Sequence, residues 1–194
     1  MEDFRLIEQM QDLGVLRQGH FLLTSGRHSE YYVEKIKIIN NPQFVDILCA
    51  KLAEKLSKYD CDVIVGPAYG GIVLAYEVAK KMGKKFIFTQ RKDEKMTIRS
   101  GFDLKAGDRA IIVEDIITTG GSVKEVIEVL QSNQIEIKAV SCIVDRSGGN
   151  VSFGYDLVAL KTMKIESWEA LDCPLCKNNV PLVKPGASDK PQSK

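Results

Sequence analysis

Between Asp62 and Leu160, short β-branched runs alternate with amphipathic stretches, and this alternation restricts the fold more than any other feature of the chain. Asp62-Val63-Ile64-Val65-Gly66 precedes Gly70-Gly71 and a helical pattern over 72–82. Residues 86–89 read as the next strand. Residues 109–113 are another, followed by a Gly pair and a helix from about 122 to 132, and 138–144 and 157–160 complete the set. Strands apolar on both faces and alternating with helices imply an α/β fold, a mostly parallel central sheet flanked by helices. Ligands bind such sheets outside the carboxyl ends of the strands, so a site is expected just after Val65, Val113 and Val144.

The flanks are simpler. Phe4, Ile7, Met10 and Leu13 recur at steps of three, which predicts an amphipathic helix ended at Gly14. Phe21-Leu22-Leu23 and Tyr31-Tyr32-Val33 read as short strands around a polar loop, and Pro42 opens a helix to about Tyr59. From Lys184 onward there is no apolar anchor, so 186–194 are expected to be a disordered tail after one domain over 1–185.

With 27 Lys+Arg against 26 Asp+Glu, the net charge of +1 lacks the basic excess of a nucleic-acid binder. No apolar run approaches the ~18 residues of a spanning helix, and the acidic start lacks the pattern of a signal peptide. Cys49, Cys61 and Cys142 sit singly in apolar contexts, as buried thiols of a reducing compartment would, so a cytoplasmic location is expected. Cys173-Pro174-Leu175-Cys176 lacks a neighbouring Cys/His pair and reads as a structural turn, with a shared metal or a labile disulfide as alternatives.

The chemistry is concentrated in Ile111-Ile112-Val113-Glu114-Asp115-Ile116-Ile117-Thr118-Thr119-Gly120-Gly121-Ser122. A buried strand ending in two acids passes through a Thr/Gly/Ser loop into a helix. Backbone N–H groups, hydroxyls and the helix N-terminus attract an anion, whereas the acids would repel one. Carboxylates beside a phosphate cradle suit the hydroxyls of a sugar, so the inferred ligand is a phosphorylated sugar.

The string resembles the phosphoribosyl-pyrophosphate (PRPP) signature of the type I phosphoribosyltransferases, and four further blocks narrow the resemblance to the orotate phosphoribosyltransferases. Thr24-Ser25-Gly26-Arg27-His28-Ser29-Glu30-Tyr31-Tyr32 is similar to that family's early segment, and Gly66-Pro67-Ala68-Tyr69-Gly70-Gly71-Ile72 to its pyrophosphate loop. Arg91-Lys92-Asp93-Glu94-Lys95 resembles its mobile catalytic loop, and Val144-Asp145-Arg146 the strand end whose Arg meets the orotate carboxylate.

The resemblance implies the type I phosphoribosyltransferase fold with a small hood from about 1–40 and 160–185. It also implies transfer of phosphoribose from PRPP to orotate, giving orotidine 5′-monophosphate and pyrophosphate in de novo pyrimidine biosynthesis. Mg²⁺ would enter with PRPP, with no direct protein ligand. Lys95 and Asp115 are the implied catalytic residues. PRPP would be held by Arg91, Lys92, Lys95, Glu114, Asp115, Ile116, Ile117, Thr118, Thr119, Gly120, Gly121 and Ser122. Ala68, Tyr69, Gly70 and Gly71 would receive pyrophosphate, and Thr118, Arg146, Tyr31 and Tyr32 orotate.

A homodimer sharing its catalytic loops is the implied assembly, with neither nucleic acid nor membrane as partner. The chain departs from the family where Thr97 stands for a loop His, Gly70 for a Lys and Thr24 for a Lys. A phosphoribosyltransferase for a purine base and a PRPP-sensing regulator are the alternatives. Arg146 disfavours the first, since a neutral purine offers it no partner, and the charge balance disfavours the second.

Overall fold

The computed structural model describes residues 6–23 and 25–185, so the expected helix start at Phe4, the loop residue Thr24 and the tail 186–194 lie outside the described residues. The elements in chain order begin α1 (Leu6–Asp12), β1 (Leu16–Leu22), β2 (His28–Val33), α2 (Lys35–Ile39) and α3 (Pro42–Leu56). Then come β3 (Val63–Pro67), α4 (Gly70–Met82), β4 (Lys85–Lys92), β5 (Lys95–Ile98) and β6 (Arg109–Ile117). Last are α5 (Gly121–Ser132), β7 (Glu136–Asp145), β8 (Leu157–Thr162) and α6 (Pro174–Lys177). The chain forms two compact units, Met1–Lys37 with Ile165–Lys194, and Ile38–Lys164.

The middle unit carries a six-stranded sheet in the order β5-β4-β3-β6-β7-β8. All neighbours are parallel except β5, which returns antiparallel along β4. The expected parallel sheet is therefore present, with one antiparallel edge. Strand periodicity sorts the side chains between two faces. Val63 and Val65 of β3 join a cluster with Ile112 of β6 and Val126 and Leu130 of α5. On the other face a Cβ on Gly66 would lie 2.8 Å from Ala75 Cβ, so α4 packs directly on β3 at a position without a side chain. The next layer is α3, whose Asn41 cap accepts from Phe44 N at 3.1 Å and whose Cys49 thiol reaches Leu74 O at 3.6 Å. Burial pushes the Cys49 thiol up to about 12 and raises the Cys61 and Cys142 thiols, so these three behave as small apolar side chains.

The terminal unit is a β1–β2 hairpin covered by segments from the other end of the chain. Its ladder pairs Leu16 with Val33 and Gln18 with Tyr31, then shifts by a bulge before Phe21 meets Ser29. Alternation fails there, and His20 and Phe21 are both buried. His28 exchanges both backbone hydrogen bonds with Trp168, and Val183 N donates to His20 O at 2.8 Å. Arg27 donates through Nε to Ser167 Oγ at 2.9 Å and pairs with Glu169.

Several boundaries differ from expectation for identifiable reasons. In α1 the buried pair is Leu6 and Met10, one turn apart, while Ile7 is half-buried and Leu13 exposed, so of the described positions in the expected stripe Met10 alone is buried. β1 begins at Leu16, before the predicted Phe21, because its first half is polar and solvent-facing. The segment 91–95, expected as a loop, is the tip of the β4–β5 hairpin. Its turn residues Asp93 and Glu94 both take positive φ, 50° and 63°. β6 continues through both acids to Ile117 instead of ending at them.

Asp62, just before β3, is gripped by Arg109 at the start of β6. Nε and a terminal nitrogen each donate at 2.8 Å, and Arg109 N donates at 2.9 Å. These hydrogen bonds hold the Asp62 carboxyl well below the usual carboxylate range. A depressed folded value gives stability that is complete above the unfolded value of about 3.9 and is lost as pH falls toward the folded one. Asp62→Asn is therefore expected to lower the melting temperature at pH 7, and the gap should close as melts are repeated below about pH 4. A gap that persists at low pH would show that the charge is not responsible.

Candidate active site

Three strand ends of the middle unit bring the expected residues together. β3 stops at Pro67, the Ala68–Tyr69 peptide is cis, and α4 starts at Gly70. That turn lies directly against β6. A Cβ on Gly71 would sit 2.8 Å from Val113 O and 3.4 Å from Glu114 Oε1. One on Gly70 would overlap Oδ2 of Asp115. Glycine at 70, where the family pattern has Lys, is thus accounted for by a carboxylate occupying the side-chain position.

Both acids are buried, Glu114 at 8 % and Asp115 at 2 % exposure, although they stand in a central strand. Buried carboxylates need donors. Glu114 Oε1 accepts from Asp115 N at 2.9 Å and Asp115 Oδ1 from Ile116 N at 2.5 Å. These local bonds orient the two groups toward the end of the sheet where the Gly70-Gly71 turn lies. Ile116 and Ile117, also expected at the ligand, are buried strand residues whose backbone delivers the chain to the loop.

Beyond Ile117 the character changes abruptly. Thr118, Thr119, Gly121 and Ser122 are exposed, while Gly120 is buried. Gly120 is the N-cap of α5 at φ 75°, and no side chain caps the helix there. A Cβ on Gly120 would lie 2.8 Å from ring atoms of Phe153 and from Val151 Cγ1. First-turn N–H groups of α5, with three hydroxyls beside them, form an anion cradle at the positive end of a twelve-residue helix.

At the end of β7, Asp145 is 1 % exposed and its two oxygens accept from Ser147 N at 2.8 Å and Gly149 N at 3.0 Å. The Asp thereby shapes the turn, and Arg146 N donates to Ile117 O at 2.8 Å, joining the ends of β6 and β7. Arg146 thus leaves the sheet beside the segment that carries Thr118.

The β4–β5 hairpin holds Arg91, Lys92 and Lys95, all exposed. Lys92 and Lys95 face each other in the ladder, and Arg91 reaches Glu125 Oε1 at 2.6 Å. Like charges directly opposite each other destabilise a hairpin, so the tip gains from any anion placed between them. Thr97, in the position of the family's His, donates to Gln90 O at 3.2 Å and serves the ladder. Tyr31 and Tyr32 belong to the terminal unit, where both are half-buried on β2 and Tyr32 packs on Phe21 with ring centroids 5.7 Å apart.

The most prominent grouping that sequence reading missed is in the terminal unit: His20, His28, Cys173 and Cys176 converge, each with a ligand atom within 4.8 Å of the others. One signal was available, since these are the chain's only two histidines and its only Cys-x-x-Cys.

Comparison with known proteins accords with this geometry. Residues 36–169 match the phosphoribosyl transferase domain family. The chain is 46% identical over 187 residues to the orotate phosphoribosyltransferase of Caldanaerobacter subterraneus subsp. tengcongensis, covering 96% of this chain and 98% of that protein. Against the orotate phosphoribosyltransferase of Caldicellulosiruptor bescii the identity is 43% over 184 residues, covering 95% and 97%. The orotate phosphoribosyltransferase structure from Aeropyrum pernix has the same fold, with a TM-score of 0.70 at 24% identity over 81% of this chain and 93% of that one. With the phosphoribosyl transferase domain matched over most of its residues and this similarity along its length, the chain belongs to the orotate phosphoribosyltransferase family.

Proposed function

We propose that the carboxyl ends of β3, β6 and β7 are where this chain moves the 5-phosphoribosyl group from PRPP to orotate, releasing pyrophosphate and forming orotidine 5′-monophosphate. The observation that carries the residue assignment is the contact of the Gly70-Gly71 turn with Glu114 and Asp115. It sets the Gly70-Gly71 backbone beside two groups able to accept hydrogen bonds from ribose hydroxyls.

The bond from ribose C1 to pyrophosphate breaks with positive charge building on the sugar, so the protein's work is positioning and charge stabilisation. Thr118 to Ser122 hold the 5′-phosphate through backbone N–H groups and hydroxyls. Glu114 and Asp115 accept from the ribose hydroxyls and fix the ring. Ala68, Tyr69, Gly70 and Gly71 receive the leaving pyrophosphate, with cationic help from Lys95, Lys92 and Arg91. Arg146 pairs with the orotate carboxylate by its two-pronged guanidinium, and Thr118 borders the ring.

Mg²⁺ fits this donor set, which offers carboxylate and hydroxyl oxygens and no sulfur or imidazole. Glu114 and Asp115 would hold it, through its waters and the substrate phosphates. When bound it neutralises charge on the departing pyrophosphate.

A homodimer is supported by an apolar stripe on one face of α4 and its cap: Tyr69 is 89 % exposed, Val73 38 % and Tyr76 56 %. A hood from about 1–40 and 160–185 is supported by the compact unit that the two ends form together. Three buried, unoxidised cysteines suit the cytoplasm.

Incubation with PRPP, Mg²⁺ and each base in turn tests the reaction. Pyrophosphate release is expected with orotate and not with adenine or hypoxanthine. Arg146→Ala should raise the KM for orotate by at least about 10-fold with little change in the KM for PRPP. Release with a purine and none with orotate would overturn the proposal.

A further inference from the structure

Cys173-Pro174-Leu175-Cys176 has no part in phosphoribosyl transfer, yet the fold supplies the partner pair that the neighbouring sequence lacks. His20 projects from β1 at the bulge, His28 from the start of β2, and the two cysteines from the N-cap and interior of α6. His20, His28 and Cys173 are 2 %, 5 % and 0 % exposed, and Cys176 is half-buried.

We infer that these four side chains bind one Zn²⁺ ion in a closed, structural Cys₂His₂ site that fastens the two ends of the chain together. The spacing is that of a coordination shell. Four ligands at zinc bond lengths of about 2.0–2.3 Å stand about 3.3–3.8 Å apart along the edges of a tetrahedron. Cys173 Sγ lies 3.5 Å and Cys176 Sγ 3.7 Å from His20 Nε2, and Cys176 Sγ lies 3.2 Å from His28 Nδ1. His20 Nε2 and His28 Nδ1 are 2.9 Å apart, a separation that a bound ion would widen.

The tautomer fits as well. His20 Nδ1 is 2.7 Å from Val180 O, and a carbonyl can only accept, so Nδ1 carries the proton and Nε2 presents its lone pair to the cluster. A ligating imidazole held through its other nitrogen in this way is the usual outer-shell arrangement of zinc sites. Two thiolates and two imidazoles select zinc over Mg²⁺ or Ca²⁺, which prefer oxygen. Four protein ligands leave no open position, so the site is structural and not catalytic.

A hydrogen-bonded His pair beside two packed thiols is the competing account. It gives no reason for the chain's only two histidines and its only Cys-x-x-Cys to meet at one point. The site also meets a structural need, because a two-stranded sheet is marginal by itself and small units commonly rely on a metal or disulfide.

The test is metal analysis of tag-free protein purified without chelators, followed by cobalt reconstitution of chelated protein. The expected result is about one zinc per chain and, with Co²⁺, the visible bands of tetrahedral coordination with thiolate charge transfer. Chelation should lower the melting temperature, with recovery on adding Zn²⁺ but not Mg²⁺. Cys176→Ser and His28→Gln should each lower bound zinc to below about a tenth per chain. The wild-type measurements decide the matter if those variants fail to fold. Metal-free protein that also gives no cobalt bands would overturn the site, as would a Cys173–Cys176 disulfide in a non-reducing peptide map or full zinc in a folded Cys176→Ser. None of these readouts involves PRPP or orotate, so they stand apart from the assignment of the reaction.

Discussion

Replacing Lys95 with alanine is expected to lower kcat by about 10²–10³-fold while the KM for PRPP changes far less. The side chain is exposed at the hairpin tip, opposite Lys92. Nothing in its own strand pairing requires its charge. A cation so placed helps most when pyrophosphate carries its full departing charge, which is the condition for a kcat effect instead of a binding effect. Folding should be unharmed, since removing one of two facing like charges relieves the hairpin. An unchanged kcat would remove Lys95 from the chemistry.

The proposed dimer with shared loops adds a sharper form of the same test. Lys95→Ala and Asp115→Asn chains, each nearly inactive, are unfolded together and refolded as a mixture. If loops cross between subunits, half the dimers contain one site intact in both respects, and about a quarter of wild-type activity returns. If each chain completes its own site, mixing restores nothing.

The second large effect is expected at Gly120. Alanine there must adopt the left-handed conformation, at roughly 1–2 kcal/mol, and its Cβ collides with Phe153 and Val151, at roughly 1–3 kcal/mol for overpacking. For a chain this size the sum corresponds to a melting temperature lowered by roughly 4–20 °C. The same displacement turns the first N–H groups of α5 away from the proposed 5′-phosphate position, and the KM for PRPP should rise by at least about 10-fold. Gly121→Ala provides the contrast in stability. Its Cβ would meet only Thr119 Oγ1, at 3.8 Å, so its melting temperature should stay close to wild type. Equal melting temperatures for the Gly120 and Gly121 variants would refute the steric argument.

What could be read from the sequence depended on how local the determinants were. The segment from Ile111 to Ser122 is one continuous strand–loop–helix, so its elements were legible in order along the chain. The central strands were visible because each is apolar on both faces. β5 was not, since Lys95-Met96-Thr97-Ile98 follows a run of charges and its turn is Asp93-Glu94, without the glycine that usually announces a tight hairpin. The burial of Glu114 and Asp115 was also hidden. Two adjacent acids suggest a strand end, and only their hydrogen bonds to backbone N–H groups explain why the strand runs on. The His/Cys cluster was the least accessible, because His20 and Cys173 stand 153 positions apart and meet only through pairing of the chain's two ends.

That pairing has a consequence for synthesis. β1 and β2 leave the ribosome early, but Trp168 and Val183, which bond their backbone, are made only after the entire central sheet. The middle unit can therefore fold as it emerges, while the first segment waits with Phe21 and His20 uncovered until Trp168 and Val183 have been made. A message truncated before codon 165 would yield a folded sheet carrying an unfinished, adhesive leader, whereas one missing only codons 186–194 would retain every pairing described.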